Sequence, residues 1–241
     1  MSAEDLFTAR TVAEFTRIQG GRFALNLFVQ IYEEPKLIFF SSPFSYPNAL
    51  QNQLTSIIQS TNSGSDTQNR IFENPYQIGT ARFCEMLEDP QFTKFSFIRD
   101  PIDRFCAAFN NVMSEHAPAS DQKELLLKYL GHNSGELLLS KFAEIIAENT
   151  EARDLIPVFR PQRNIIAYDF VEFDFVGNSD IWQHDLQRFL SEYVGISDDK
   201  LTSLKKKPHP DEFMYEIDNS TQICLENAYL ADYELLEELQ F

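Results

Sequence analysis

The stretch Phe95–Asn111, FSFIRDPIDRFCAAFNN, decides the reading of this chain. Its start, with Lys94, forms a short apolar run (KFSFI, Lys94–Ile98) of the kind buried on both faces of a parallel sheet. Arg99-Asp100-Pro101 ends the run. Pro101 suits the first turn of a helix, because the N–H it lacks is one that a helix start leaves unpaired. Ile102, Phe105, Cys106 and Phe109 then recur on one helical face. This strand–turn–helix order puts Arg99 at the carboxyl end of a strand, where open α/β sheets bind ligands. A guanidinium there can grip a phosphate through two parallel hydrogen bonds, or it can pair with a carboxylate within the fold. The residues alone leave both roles open.

Two further runs read as buried strands, Lys36–Ser41 (KLIFFS) and Phe173–Val176 (FDFV). Between and after them apolar residues fall at helical spacing: Leu138, Phe142, Ile145 and Ile146; Leu186, Phe189, Leu190 and Tyr193, with Ser179 or Asp180 as cap; and Leu225, Ala228, Tyr229 and Leu236. Strands alternating with helices predict a three-layer, doubly wound α/β fold with a mainly parallel central sheet flanked by helices. The polar segments Gln59–Asn69 and Lys205–Asp211 do not divide the chain into pieces that each build a core, so residues 1–241 read as a single domain.

Bulk properties narrow the function. The 241 residues are 43% hydrophobic and 24% charged, with 22 Phe, as in an ordinary globular α/β protein. The net charge of −17 argues against a nucleic-acid binder or a partner of anionic membranes, both of which need basic surfaces. Asp211 to Glu238 holds many carboxylates and no Lys or Arg, and reads as a solvated helix face. Cys84, Cys106 and Cys224 are far apart and show no zinc spacing, which fits thiols in a reducing compartment. No run reaches the ~20 apolar residues of a membrane span, and Met1 to Arg10 lacks the apolar core of a signal peptide. A cytoplasmic protein is expected. No G-x-x-x-x-G-K-(S/T) or G-x-G-x-x-G signature occurs, which argues against a P-loop hydrolase or a dinucleotide enzyme.

FSFIRDPIDRFCAAF resembles the 3′-phosphate-binding segment of carbohydrate-type (family 2) sulfotransferases, which use 3′-phosphoadenosine 5′-phosphosulfate (PAPS). Phe97, Arg99, Asp100, Pro101, Arg104, Phe105, Ala108 and Phe109 agree with the family pattern F-x-F-V-R-(D/N)-P-(Y/F)-x-R-(L/F)-x-S-A-(Y/F). Phe159–Gln162 (FRPQ) is similar to H-(W/F)-x-P-Q, and Phe173–Gly177 (FDFVG) to D-(F/Y)-(V/I)-G, which precedes a helix with an acidic-Leu pair, here Asp185-Leu186. Pro208-His209 and Tyr229–Leu235 (YLADYEL) resemble P-H-x-N and the closing Y-x-x-D-Y-E-L helix. The matches run in order from about Lys36 to Leu236. The resemblance implies a P-loop-like sulfotransferase fold, a nucleotide sulfate donor, a hydroxyl acceptor on a carbohydrate or small metabolite, and no metal. It places Arg99, with Arg104, on the 3′-phosphate, and Ser45, Asn48 and loop amides on the 5′ end.

The chain departs from the pattern at charged positions. The family loop H-x-P-K-(T/S)-(G/A)-(G/S)-(T/S) falls on Ser41–Ala49, where Pro43 and Ser45 match, Phe44 replaces the lysine, and Tyr46 and Pro47 replace small residues. The serine of the 3′-phosphate segment falls on Ala107 and the histidine of H-(W/F)-x-P-Q on Val158. A phenyl ring neutralises no charge, and loss of one preorganised stabiliser costs on the order of 3 kcal/mol in the transition state. Arg160 is a candidate substitute cation, better placed than Arg70, Arg82 or Lys205–Lys207, with Arg163 beside it. Of His116, His132, His184 and His209, His116, which follows the Arg99 helix, is the candidate base, and His184 is expected at the surface. Two functions stand: a PAPS-dependent sulfotransferase, and an inactive relative that keeps the fold as an interaction module.

Overall fold

A computed structural model of the protein describes residues 3–19, 24–45, 50, 52, 54–56, 72–113, 120–131, 137–196 and 217–241. The chain forms two compact units, one drawn from Met1–Ile98 and Asn164–Pro210, the other from Arg99–Arg163 and Asp211–Phe241.

The first unit carries the sheet. Strands β1 (Val29–Tyr32), β2 (Leu37–Phe40), β3 (Thr93–Ile98) and β4 (Phe175–Asn178) lie in the order β1-β2-β3-β4. β2, β3 and β4 are parallel, and β1 is antiparallel to β2. This is the mostly parallel, helix-flanked α/β sheet that the apolar runs predict. β2 and β3 lie where KLIFFS and KFSFI put them. β4 starts two residues after the start of FDFV, because Asp174 is occupied ahead of it: its N–H donates to the Lys94 carbonyl at 2.9 Å and its carboxylate accepts the Lys94 N–H at 2.7 Å. β1 carries no signal in the sequence, since VQIY continues straight from the helix Ala24–Phe28 with no turn residue between.

Phenylalanine builds the layers. Phe39 and Phe95 stack at 4.8 Å between centroids, and Phe95 stacks on Phe189 of the helix Trp182–Tyr193 at 4.2 Å. Phe97, Phe175, Trp182, Leu186 and Leu190 complete this cluster. Phe40, alternating to the opposite face, meets Phe15 of the helix Ala3–Gln19, which also touches Phe83 of the helix Thr80–Glu88. Helix, sheet and helices thus form three layers. Ser179 and Asp180 do not cap the Trp182–Tyr193 helix. The Asn178 side chain accepts the Asp180 N–H at 2.9 Å in a tight turn before it, and the Ser179 hydroxyl donates to the Ser45 carbonyl.

The second unit is helical: Pro101–Met113, Ser120–Tyr129, Leu139–Glu148, Asn219–Ala228 and Leu230–Glu238 are its longer helices. Its centre is aromatic. Phe105, Phe109, Phe142, Phe159 and Tyr229 form one connected set of ring contacts centred on Phe105, the closest pair being Phe142 and Phe159 at 4.9 Å. The C-terminal periodicity resolves into two helices that meet at Tyr229, with Leu225, Ala228 and Tyr229 buried.

Gly177 on β4 has no room for a side chain: a Cβ there would lie 2.4 Å from the Phe97 ring and 3.0 Å from the Phe175 ring. Gly177→Ala should overpack this face by about 1–3 kcal/mol, lowering Tm by at least about 2 °C at this chain length. An unchanged Tm in a thermal melt would mean that the two rings yield without cost.

Candidate functional site

Arg99 follows the last residue of β3 and precedes a well-capped helix. The Asp100 carboxylate accepts the N–H groups of Ile102 at 2.9 Å and Asp103 at 3.0 Å, and Pro101 fills the first helical position. The Arg99 backbone is held by Gln162. Its N–H donates to Gln162 Oε1 at 3.0 Å, and its carbonyl accepts from Gln162 Nε2 at 2.7 Å. The guanidinium is less well satisfied. The side chain is only 9% exposed, and the solvent-facing Asp103 carboxylate lies at 3.7 Å. Arg99 Nε is shielded from solvent and has no hydrogen-bond partner among the described residues.

Arg104, one helical turn on, is fully buried. Its terminal nitrogens donate to the carbonyls of Val158 at 2.8 Å and Arg160 at 2.6 Å. The intervening carbonyl of Phe159 accepts from the Tyr229 hydroxyl at 2.7 Å, and burial pushes that phenol well above its ordinary pKa. Asp232, also fully buried, lies 3.9 Å from the Arg104 guanidinium and accepts the N–H groups of Gln162 and Arg163, both at 2.9 Å. Burial pushes its carboxyl up, against the pull of Arg104 and the two N–H donors. The stretch 158–163 is thus tied through both its carbonyls and its N–H groups.

The other predicted residues are placed as follows. The Arg160 guanidinium donates from Nε and a terminal nitrogen to the Asp154 carbonyl, at 2.9 and 2.7 Å, at the end of the short helix Thr150–Asp154. Burial draws its pKa down. Arg163 pairs with Glu238 at 2.7 Å. Arg82 pairs with Glu85 on the surface. In the first unit, Ser45 is buried and its hydroxyl donates to Ser42 Oγ at 2.7 Å. Phe44 beside it has φ of 61°, a left-handed conformation unusual for a bulky residue. His184 is 73% exposed, as expected, with Nδ1 3.1 Å from Asp185. Asn48, His116, His132, His209, Arg70 and Lys205–Lys207 lie outside the described residues. So the structure gathers Arg99, Arg104 and Arg160 around the FRPQ segment. A cavity of about 630 Å³ lies at the amino end of β3, lined by Phe7, Arg10, Lys94 and Phe170 among others, away from the strand end that leads to Arg99.

The family model described as the Sulfotransferase family matches residues 39–237. That span begins within β2 and takes in the Arg99 segment, FRPQ, FDFVG and the closing YLADYEL. The chain therefore belongs to the sulfotransferase family, whose chemistry calls for a sulfate-donor nucleotide and an acceptor. Comparison with curated proteins and with solved structures returns no match. Among the described residues no helix is long and apolar enough to cross a membrane, and all three cysteines are unpaired.

Sequence reasoning missed Gln162 and Asp232 as parts of this arrangement. Both stand inside quoted motifs, but nothing in spacing tells that an amide faces Arg99. The acidic C-terminal run reads as solvated, and Asp218, Glu226, Glu234, Glu237 and Glu238 are indeed exposed. Asp232 is the exception, and its apolar neighbours Leu235 and Tyr229 are the signal that it points inward. Arg104→Ala would leave Asp232 buried without its cation, at a cost of about 3–5 kcal/mol, read as a lower urea midpoint. A loss below about 1 kcal/mol would mean that water reaches the carboxylate.

Proposed function

We propose that this protein transfers a sulfuryl group from PAPS to a hydroxyl of a carbohydrate or small metabolite, with Arg99 as the ligand of the donor's 3′-phosphate. One observation carries the reading: a nine-tenths buried guanidinium whose Nε–H is shielded from water and has no partner among the described residues, and which, unlike that of Arg104, makes no carbonyl bond there. Such a donor costs about 1–3 kcal/mol, and a phosphate oxygen would remove that cost while adding a charge-assisted bond. The chemistry of this group therefore fits the phosphate. Arg104, enclosed and bonded to carbonyls, braces the segment rather than touching the donor.

Bound PAPS supplies the sulfuryl group and its leaving phosphate. Arg99 binds and orients it. Ser45 and Asn48 belong to the loop assigned to its 5′ end, and the Ser45 hydroxyl would exchange Ser42 for the ligand. Charge neutralisation falls to Arg160 once its guanidinium leaves the Asp154 carbonyl, and His116 is assigned as the base that takes the acceptor's proton.

Thermal unfolding with adenosine 3′,5′-bisphosphate tests the donor site. At ~100 times its Kd the ligand adds about 2.7 kcal/mol, a rise of about 5 to 10 °C at this chain length, which Arg99→Ala abolishes. No shift at millimolar ligand would discard the PAPS reading and bring forward the interaction module. Phe44→Lys restores the cation that the family pattern has at this position. It should raise PAPS turnover with sugar acceptors on the order of 100-fold, followed as release of the bisphosphate. An unchanged rate would show that the charge is supplied elsewhere.

A further inference from the structure

The geometry points to Gln162 as the positioning residue of the 3′-phosphate contact, an inference that rests on the reading of Arg99 given above. The Gln162 side chain is fully buried and addresses both peptide groups of Arg99: Oε1 accepts its N–H at 3.0 Å and Nε2 donates to its carbonyl at 2.7 Å. Two bonds to the N–H and C=O of one residue reproduce the exchange that strands make in a ladder. They fix the peptide planes on both sides of the Arg99 Cα, hence φ, ψ and the direction in which the side chain leaves. The support comes where the sheet stops: the β3–β4 register ends at Ile98 and Asn178, one residue before Arg99. On the other side, Asp100 is fixed as the helix cap.

Gln162 is itself anchored. Its N–H and that of Arg163 donate to the two oxygens of Asp232, which Arg104 faces at 3.9 Å. Order therefore passes from Asp232 to Gln162 to the backbone of Arg99. The chemistry is specific to an amide of this length. A carboxylate cannot donate to the Arg99 carbonyl, a thioether can neither donate nor accept well, and asparagine is one methylene short. Gln162 touches no part of the ligand in this scheme. It sets the aim of the residue that does, so its effect is confined to ligands that carry a 3′-phosphate.

Calorimetric titration of the full chain tests this with adenosine 3′,5′-bisphosphate and with adenosine 5′-phosphate, which lacks the group that Arg99 reads. Gln162→Met should weaken the bisphosphate by about tenfold or more and leave the 5′-phosphate within about twofold. In an Arg99→Ala background it should add nothing, as residues that act through one contact are not additive. A folded Gln162→Met with wild-type bisphosphate affinity, an equal loss for both nucleotides, or additive losses in the double variant would overturn the positioning role. If Arg99→Ala itself keeps full affinity, the Arg99 assignment fails and takes this inference with it. Should Gln162→Met not fold, hydrogen exchange on the wild-type chain decides: the Arg99 amide is expected to be protected, and exchange at the rate of an open amide overturns the proposal.

Discussion

A carboxylate and a guanidinium, both withdrawn from water, hold the second unit together. Each ion alone in that setting would cost several kcal/mol, and their mutual attraction repays this only when the remaining donors and acceptors are also met. Arg104 and Asp232 meet the condition, save at the Arg104 Nε–H, which has no partner among the described residues, by sharing one segment of chain. The arginine takes carbonyls at 158 and 160, and the aspartate takes N–H groups at 162 and 163. The backbone of this irregular stretch, which has no ladder or long helix to satisfy it, is paired by side chains instead. Its fixed position is what lets Gln162 reach Arg99. The ion pair thus matters less as a source of stability than as a device that holds a non-repetitive segment in one conformation.

The first unit solves a different problem with a different material. Its strands are short, four to six residues, and they offer few ladder bonds. Stacked rings from β2, β3, β4 and the Trp182–Tyr193 helix supply the cohesion. Pairs of this kind contribute about 0.5–1.5 kcal/mol each beyond the area they bury. Flat rings also need flat neighbours, which is why β4 carries glycine where the Phe97 ring lies.

Much of this fold was legible because parallel strands buried on both faces write themselves as unbroken apolar runs. KLIFFS and KFSFI gave β2 and β3, and Arg99-Asp100-Pro101 gave the helix start to the residue. β1 was not legible, since four residues directly after a helix carry neither punctuation nor a distinct period. The acidic C-terminal stretch misled at one position: composition averages over a segment, whereas burial is decided residue by residue, and Asp232 turns inward while its acidic neighbours face solvent. At the candidate site, the place of Arg99 directly after a strand was legible. The amide that grips its backbone is 63 positions away in sequence, a relation no local pattern encodes.

The order in which the chain is synthesised gives the Arg104–Asp232 pair a further meaning. Arg104 emerges well before Asp232, so for that interval of translation a cation destined for the interior has no counter-charge. The first unit's sheet requires nothing beyond residue 178 to complete its register. The second unit cannot close its polar centre until the Leu230–Glu238 helix is available. A nascent chain therefore passes through a stage in which every strand of the sheet is available while the segment that grips the Arg99 backbone still lacks its aspartate.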